Sequence, residues 1–188
     1  MSVPERLVVA IDDGYTSYDQ EQALLQAVDA RFEVRPVGGS EALAKEAVRG
    51  ADIVMVRESP VSADVIAQMD RCVGIVRYGI GVDNIDLNLA RKRQIRVANV
   101  PDYGIEEVST HAVALLLAVL RQVCLRDANV RQGIWTKTRA QPMYRLRDRT
   151  LGLVGYGRIA RQTQEKLAGF GFARVLVADP HAVLPPGT

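Results

Sequence analysis

The sequence predicts an α/β protein in which a doubly wound parallel layer is followed by the opening strand, turn and helix of a second, dinucleotide-binding unit. Three observations carry this. Over the first hundred or so residues, short β-rich runs alternate with amphipathic segments, the order that builds a parallel sheet. The stretch TLGLVGYGRIA, Thr150 to Ala160, joins an apolar strand to a glycine turn and a helix start, the arrangement that seats a pyrophosphate. The composition, 48% hydrophobic with 24 basic and 22 acidic residues for a net charge of +2, is that of an ordinary soluble α/β chain and implies no nucleic-acid partner.

The strand candidates in order are Leu7–Ile11, Glu33–Val37, Ile53–Val56, Val73–Val76 and Ile95–Ala98. Between them Tyr18–Val28, Ser40–Val48, Ser62–Met69 and Asp86–Arg93 have helical spacing, with Ser40, Ser62 and Asp86 placed as N-caps. Residues 1–99 therefore read as a flavodoxin-like doubly wound domain. They contain no GxGxxG pattern, which assigns them to the substrate rather than to a nucleotide.

Near Val100 the organisation changes. Pro101 and Gly104 punctuate the chain before a long helix expected at about Glu106 to Arg126, apolar over most of its circumference from Ala112 to Leu120. That run is shorter than the roughly 18 residues a membrane span needs, and the polar start has no signal-peptide layout, so a cytoplasmic location is expected. Burial of so apolar a helix calls for a neighbouring domain or a second subunit, and a homodimer is the economical expectation. Asp127–Arg149 reads as a helix end plus a long loop, with Trp135 and Pro142 as packing points and its arginines on a solvated face. Cys72 and Cys124 lie in apolar stretches without metal-ligand spacing and read as buried free thiols.

Residues 100–188 are expected to hold the start of a Rossmann dinucleotide-binding domain. Gly155 permits the tight turn, Gly157 lets the backbone approach phosphate, and Ala160 is small enough for close helix-to-strand packing. Tyr156 lies between the glycines, and Arg158 and Ile159 open the helix expected to run to Phe170, whose free N–H groups face the anion. Asp179, ending the strand Arg174–Ala178, stands where a carboxylate accepts from the adenosine ribose hydroxyls and repels a 2′-phosphate, which predicts NAD over NADP. Only that one strand follows the turn before the Pro-rich end Leu184–Thr188, whereas a complete dinucleotide fold has about six. An incomplete domain with an exposed apolar edge at Leu151–Val154 and poor solubility is the expectation.

VRYGIGVDNID, Val76 to Asp86, ends a strand in a glycine-rich turn before a capped helix. By itself this is a tight turn or, with its backbone amides open, a carboxylate site. Together with NVPDYGIEEVSTHAVALLLAVLR, Asn99 to Arg121, TLGLVGYGRIA and VRESPVSADVI, Val56 to Ile66, it resembles the D-isomer-specific 2-hydroxyacid dehydrogenase family over nearly the whole chain. The wording around Asn99 to His111 is nearest to the branch of phosphoglycerate-dehydrogenase-like enzymes and C-terminal binding proteins.

The resemblance implies two domains, NAD on the second, and hydride transfer between a D-2-hydroxy acid and a 2-oxo acid. It implies that the substrate is held by Tyr78, Gly79, Ile80 and Gly81, with Arg57 reaching in from the preceding loop. It also implies a contact of His111 with NAD, although the residue itself reads first as a packing or solvent-facing one; His181 reads as a surface residue. The family's catalytic arginine, acid and histidine fall beyond Thr188, so no catalytic residue is assigned here. A fragment of such an enzyme is the leading expectation. The alternatives are a non-catalytic, NAD-responsive binding protein similar to the C-terminal binding proteins, and a naturally short chain that borrows a partner's strands.

Overall fold

Five parallel strands in the order β2-β1-β3-β4-β5 form the sheet of the N-terminal unit: β1 (Arg6–Ala10), β2 (Ala30–Val34), β3 (Ile53–Val56), β4 (Gly74–Arg77) and β5 (Arg96–Asn99). The structure is a computed structural model and describes residues 6–135 and 142–182. The expected Pro-rich end lies outside these residues. The chain divides into two units, Met1–Tyr103 and Gly104–Thr188.

The register explains the N-terminal core. Val9 stands opposite Val54, Val54 opposite Ile75 and Ile75 opposite Val97, so one row of β-branched side chains crosses four strands on one face. It packs with Ala44, Ala47 and Val48 from α2 (Glu41–Ala47) and its C-cap, Val65 and Ile66 from α3 (Ala63–Ala67), and Ala90 from α4 (Leu87–Lys92). Each large member of this core contributes about 1.5–3 kcal/mol by leaving water. The expected caps form: Ser40 and Ser62 Oγ accept from the Leu43 and Val65 amides at 3.4 Å, and Asp86 Oδ1 accepts from Leu89 N at 2.8 Å.

One strand differs in position. The sequence pattern places it at Glu33–Val37, but β2 runs Ala30–Val34 because Asp29, in the left-handed region at φ 53°, turns the chain directly out of α1 (Asp19–Gln26). Pro36 has no N–H for the ladder. Val37 is buried from a turn instead, donating to the Ile11 carbonyl at 3.1 Å.

The second unit begins with two helices where one was expected. Helix α5 (Ile105–Leu120) and α6 (Val123–Arg131) are bent by 57° at Gln122, which takes left-handed angles of φ 55° and ψ 38°. Apolar residues continue across the break, so periodicity alone conceals it. Strands β6 (Thr150–Val154) and β7 (Arg174–Ala178) pair in parallel, with α7 (Arg158–Leu167) and the 3-10 turn Ala168–Phe170 between them, so the expected helix to Phe170 changes pitch in its last turn. Lys166 joins α7 to α5 through Glu106 Oε1 and Thr110 Oγ1 at 2.5 and 2.6 Å.

Other expectations for this region need correction. Trp135 is 87% exposed and Pro142 is exposed, so neither is a packing point within the unit. Both cysteines are free, but only Cys72 is buried; Cys124 is exposed on α6. No single helix among the described residues is long and apolar enough to cross a membrane.

Helix α4 ends in a Schellman motif: Ile95 N–H donates to the Ala90 carbonyl and Gln94 N–H to that of Arg91, with Gln94 at φ 59°. A non-glycine residue pays a steric cost there. Gln94→Gly is expected to raise stability by about 0.5–1 kcal/mol, read from the shift of the urea midpoint.

Candidate functional site

The carboxyl ends of β1, β3, β4 and β5 converge on a cavity of about 440 Å³ lined by Tyr15, Arg57, Glu58, Arg77, Tyr78, Gly79, Val100 and Tyr103. This is where an open parallel sheet places its ligands, because the chain leaves β1 in opposite directions for its two neighbours. The loop after β3 is held from across the switch point by Asp12. Its Oδ2 accepts from the amides of Arg57, Glu58 and Ser59 at 2.6, 3.2 and 3.4 Å, and its Oδ1 from the Ser59 hydroxyl at 2.6 Å. Burial pushes the Asp12 carboxyl upward, but the Ser59 hydroxyl and the three amides outweigh it and hold the group below its ordinary value.

With the loop fixed, Arg57 Nη1 donates to the Gly14 carbonyl at 2.8 Å, Nη2 meets Glu58 Oε1 at 3.0 Å, and the guanidinium lies 5.5 Å from the centre of the Tyr15 ring. Gly14 makes room for this: a Cβ there would fall 2.0 Å from Nη1. The rings of Tyr15 and Tyr78 sit 5.1 Å apart, and the Tyr78 hydroxyl donates to Glu21 Oε1 at 2.9 Å. Burial, followed by that carboxylate, pushes the Tyr78 phenol far up, so it stays protonated.

Of the residues singled out from the sequence, Arg57, Tyr78 and Gly79 line the cavity, while Ile80 and Gly81 continue the turn outside its wall. The amides divide differently from expectation. Tyr78 N–H donates to the Val56 carbonyl at 2.8 Å and Gly79 N–H to that of Arg77 at 2.9 Å. Ile80 and Gly81 keep theirs open among the described residues. Tyr15, Glu58, Arg77, Val100 and Tyr103 escaped the sequence reading; for Arg77 and Glu58 the available signal was a charged residue at the carboxyl end of an apolar strand.

In the second unit the glycine turn forms as expected. Gly155, at φ 83°, donates to the Ala178 carbonyl at 2.9 Å, and Gly157 caps α7. No atom lies within 4 Å of where a Cβ would stand on either glycine, which leaves the approach to the turn open. The first amides of α7, at Arg158, Ile159 and Ala160, have no acceptor among the described residues. Asp179 joins both sides of the turn: Oδ2 accepts from Tyr156 N at 2.6 Å and Oδ1 from His181 N at 2.8 Å. The amides of His181 and then Tyr156 hold this carboxyl below its ordinary value. Each oxygen keeps a further lone pair for a ligand hydroxyl. His111 is exposed on α5, and the fold gives it no partner within its unit among the described residues.

Comparison with known proteins adds to this geometry. Residues 9–173 match the model of the D-isomer specific 2-hydroxyacid dehydrogenase catalytic domain. A D-3-phosphoglycerate dehydrogenase of Mycobacterium leprae is 35% identical over 162 residues, 85% of this chain and 30% of that protein. A glyoxylate reductase of Thermococcus litoralis is 37% identical over 133 residues, 67% of this chain and 40% of that protein. The crystal structure of an Aquifex aeolicus D-lactate dehydrogenase complexed with NAD and lactic acid superimposes with a TM-score of 0.79 at 20% identity, covering 95% of this chain and 52% of that one. The chain thus spans between 30% and 40% of these curated relatives and 52% of the solved structure.

The depressed Asp12 carboxyl fixes the sign of a pH effect. A group whose folded value lies below its unfolded value contributes stability above the unfolded value, about pH 4, and loses it as pH falls through the folded one. Asp12→Asn is expected to destabilise the N-terminal unit by roughly 1–3 kcal/mol at neutral pH, with a smaller difference from the parent below about pH 3. Urea melts across that range provide the check.

Proposed function

The chain belongs to the D-isomer-specific 2-hydroxyacid dehydrogenase family, and on that premise we propose that it serves an NAD-dependent oxidoreductase interconverting a D-2-hydroxy acid and a 2-oxo acid. The observation that carries this is the pairing of two distinct anion seats in one chain: a cavity with arginines at the switch point of the first sheet, and an open glycine turn under a helix N-terminus in the second unit.

The second seat fits NAD. Gly155 and Gly157 present bare backbone, and the amides of Arg158 and Ile159 point a partial positive charge at a pyrophosphate. Tyr156 anchors Asp179, which is placed for the ribose hydroxyls. His111 is a candidate for a further contact. The cofactor, when bound, supplies the hydride. Arg57 and Arg77 hold and orient the acid, and the tyrosines limit water around it. On this reading the substrate domain covers residues 1–99 and the NAD-binding portion residues 100–188.

Two finer readings accompany this. A cytoplasmic setting suits the chemistry. The apolar surface of α5 and α6, with Leu115, Val119 and Val123 at 53%, 73% and 52% exposure, fits a homodimer contact. Val119→Glu is expected to shift the sedimentation profile from dimer to monomer; an unchanged profile removes this helix pair from the interface.

Oxidation of NADH by the intact gene product on addition of 2-oxo acids tests the activity, and its absence across small, branched and aromatic acids rejects it. For the cofactor, NADH is expected to bind more tightly than NADPH. Asp179→Asn is expected to narrow that preference roughly 5- to 30-fold, about 1–2 kcal/mol, in fluorescence titrations with both nucleotides.

A further inference from the structure

The two arginines of the first cavity are not equivalent. Arg57 is engaged by the Gly14 carbonyl and by Glu58, and it stacks on Tyr15. The Arg77 side chain has no hydrogen bond or ion pair among the described residues, and its Nε is closed off from the surface without an acceptor. Its guanidinium rests against Gly79, where a Cβ would fall 1.4 Å from Nη1. Glu58 brings a carboxylate to the same wall, and Glu21 lies behind the Tyr78 hydroxyl. One unopposed cation therefore faces a space otherwise bounded by Tyr15, Tyr78, Tyr103 and Val100.

We propose that this cavity selects an unphosphorylated 2-oxo acid with an apolar or aromatic side chain: Arg77 takes the single carboxylate, and the tyrosines and Val100 receive the side chain. The proposal rests on the dehydrogenase reading above and narrows its substrate class. A phosphate group adds about −1.5 to −2 charge at neutral pH, and strong recognition of it uses charge-assisted bonds from free guanidinium or ammonium groups. Here Arg57 is already paired with a carboxylate that would itself face the phosphate. Tyrosine rings offer apolar faces with a polar edge and favour aromatic or branched substituents. The cavity volume of about 440 Å³ is within the range of small-ligand sites. The phosphorylated substrate named for the mycobacterial relative is thus the one this wall disfavours.

The test is a pair of measurements on the full 188-residue chain. Phenylpyruvate and phosphohydroxypyruvate are titrated separately, followed by tyrosine fluorescence, with the unaltered chain, Glu58→Ser and Arg77→Met. Phenylpyruvate is expected to bind at least tenfold more tightly. Glu58→Ser is expected to move the ratio toward the phosphorylated acid at least fivefold, and Arg77→Met to weaken phenylpyruvate at least tenfold. Because the Glu58 side chain is 72% exposed, its replacement leaves the core intact. Equal or tighter binding of phosphohydroxypyruvate, a ratio indifferent to Glu58, or binding of neither acid overturns the proposal. NADH oxidation by the intact gene product with the same two acids separates the readings: turnover that favours the phosphorylated acid overturns the specificity and keeps the dehydrogenase, whereas the expected binding preference without turnover of any 2-oxo acid by that product supports the specificity and rejects the dehydrogenase.

Discussion

The Asp12 carboxylate is the contact on which the N-terminal cavity depends. A parallel sheet that reverses direction at β1 leaves the loops after β1 and β3 facing each other with unpaired amides, since neither loop continues the ladder. Asp12 supplies acceptors for three of those amides and for the Ser59 hydroxyl. It stands at the end of a strand whose Val9, Ala10 and Ile11 are almost fully buried, so its position is set by the core rather than by solvent. Everything that the β3 loop presents, Arg57 and Glu58 in particular, is thereby referred to the sheet.

Arg57 and Asp12 illustrate how one constraint produces the next. Holding the Arg57 amide fixes where its side chain begins, and the bare backbone of Gly14 leaves room for the guanidinium to lie against the Gly14 carbonyl. The side chain is then a strut between two loops as much as a charge for a ligand. Arg77 begins from the end of β4 and meets no such acceptor, so its charge remains available. The second unit presents backbone amides and an exposed glycine turn instead, whose partial charge depends little on side-chain rotamers. The two can therefore change independently: substitution of side chains retunes the first, while the second is sensitive chiefly to change at its glycines, Gly155 at φ 83° above all.

The regular parts of the chain were legible because local and tertiary preferences agree there. Ile53–Val56 is apolar on both faces and is a strand between two others; Ser40, Ser62 and Asp86 sit where a helix needs an acceptor, and each provides one. What was not legible turned on single backbone choices. Asp29 and Gln122 take left-handed angles that glycine would advertise and that these residues do not, so β2 starts earlier than its pattern suggests and the long helix breaks. Within the site, Arg57 was named through the family resemblance. Tyr15, Val100 and Tyr103 were not, because they lie on loops that meet only once five strands have been put in order.

The glycine turn after β4 shows why a motif can be placed correctly and still be misread. Its glycines suggest freed amides, yet the Gly79 amide is bonded to the Arg77 carbonyl and the Tyr78 amide to that of Val56. What Gly79 contributes is the absence of a side chain beside the Arg77 guanidinium. A Cβ at that position would meet the flexible end of an arginine rather than backbone, and at φ 158° a side chain would also strain the turn itself. The glycine thus helps to determine where a positive charge stands in the cavity. A ligand site built this way owes its specificity to the small residues beside its charged groups as directly as to the charges themselves.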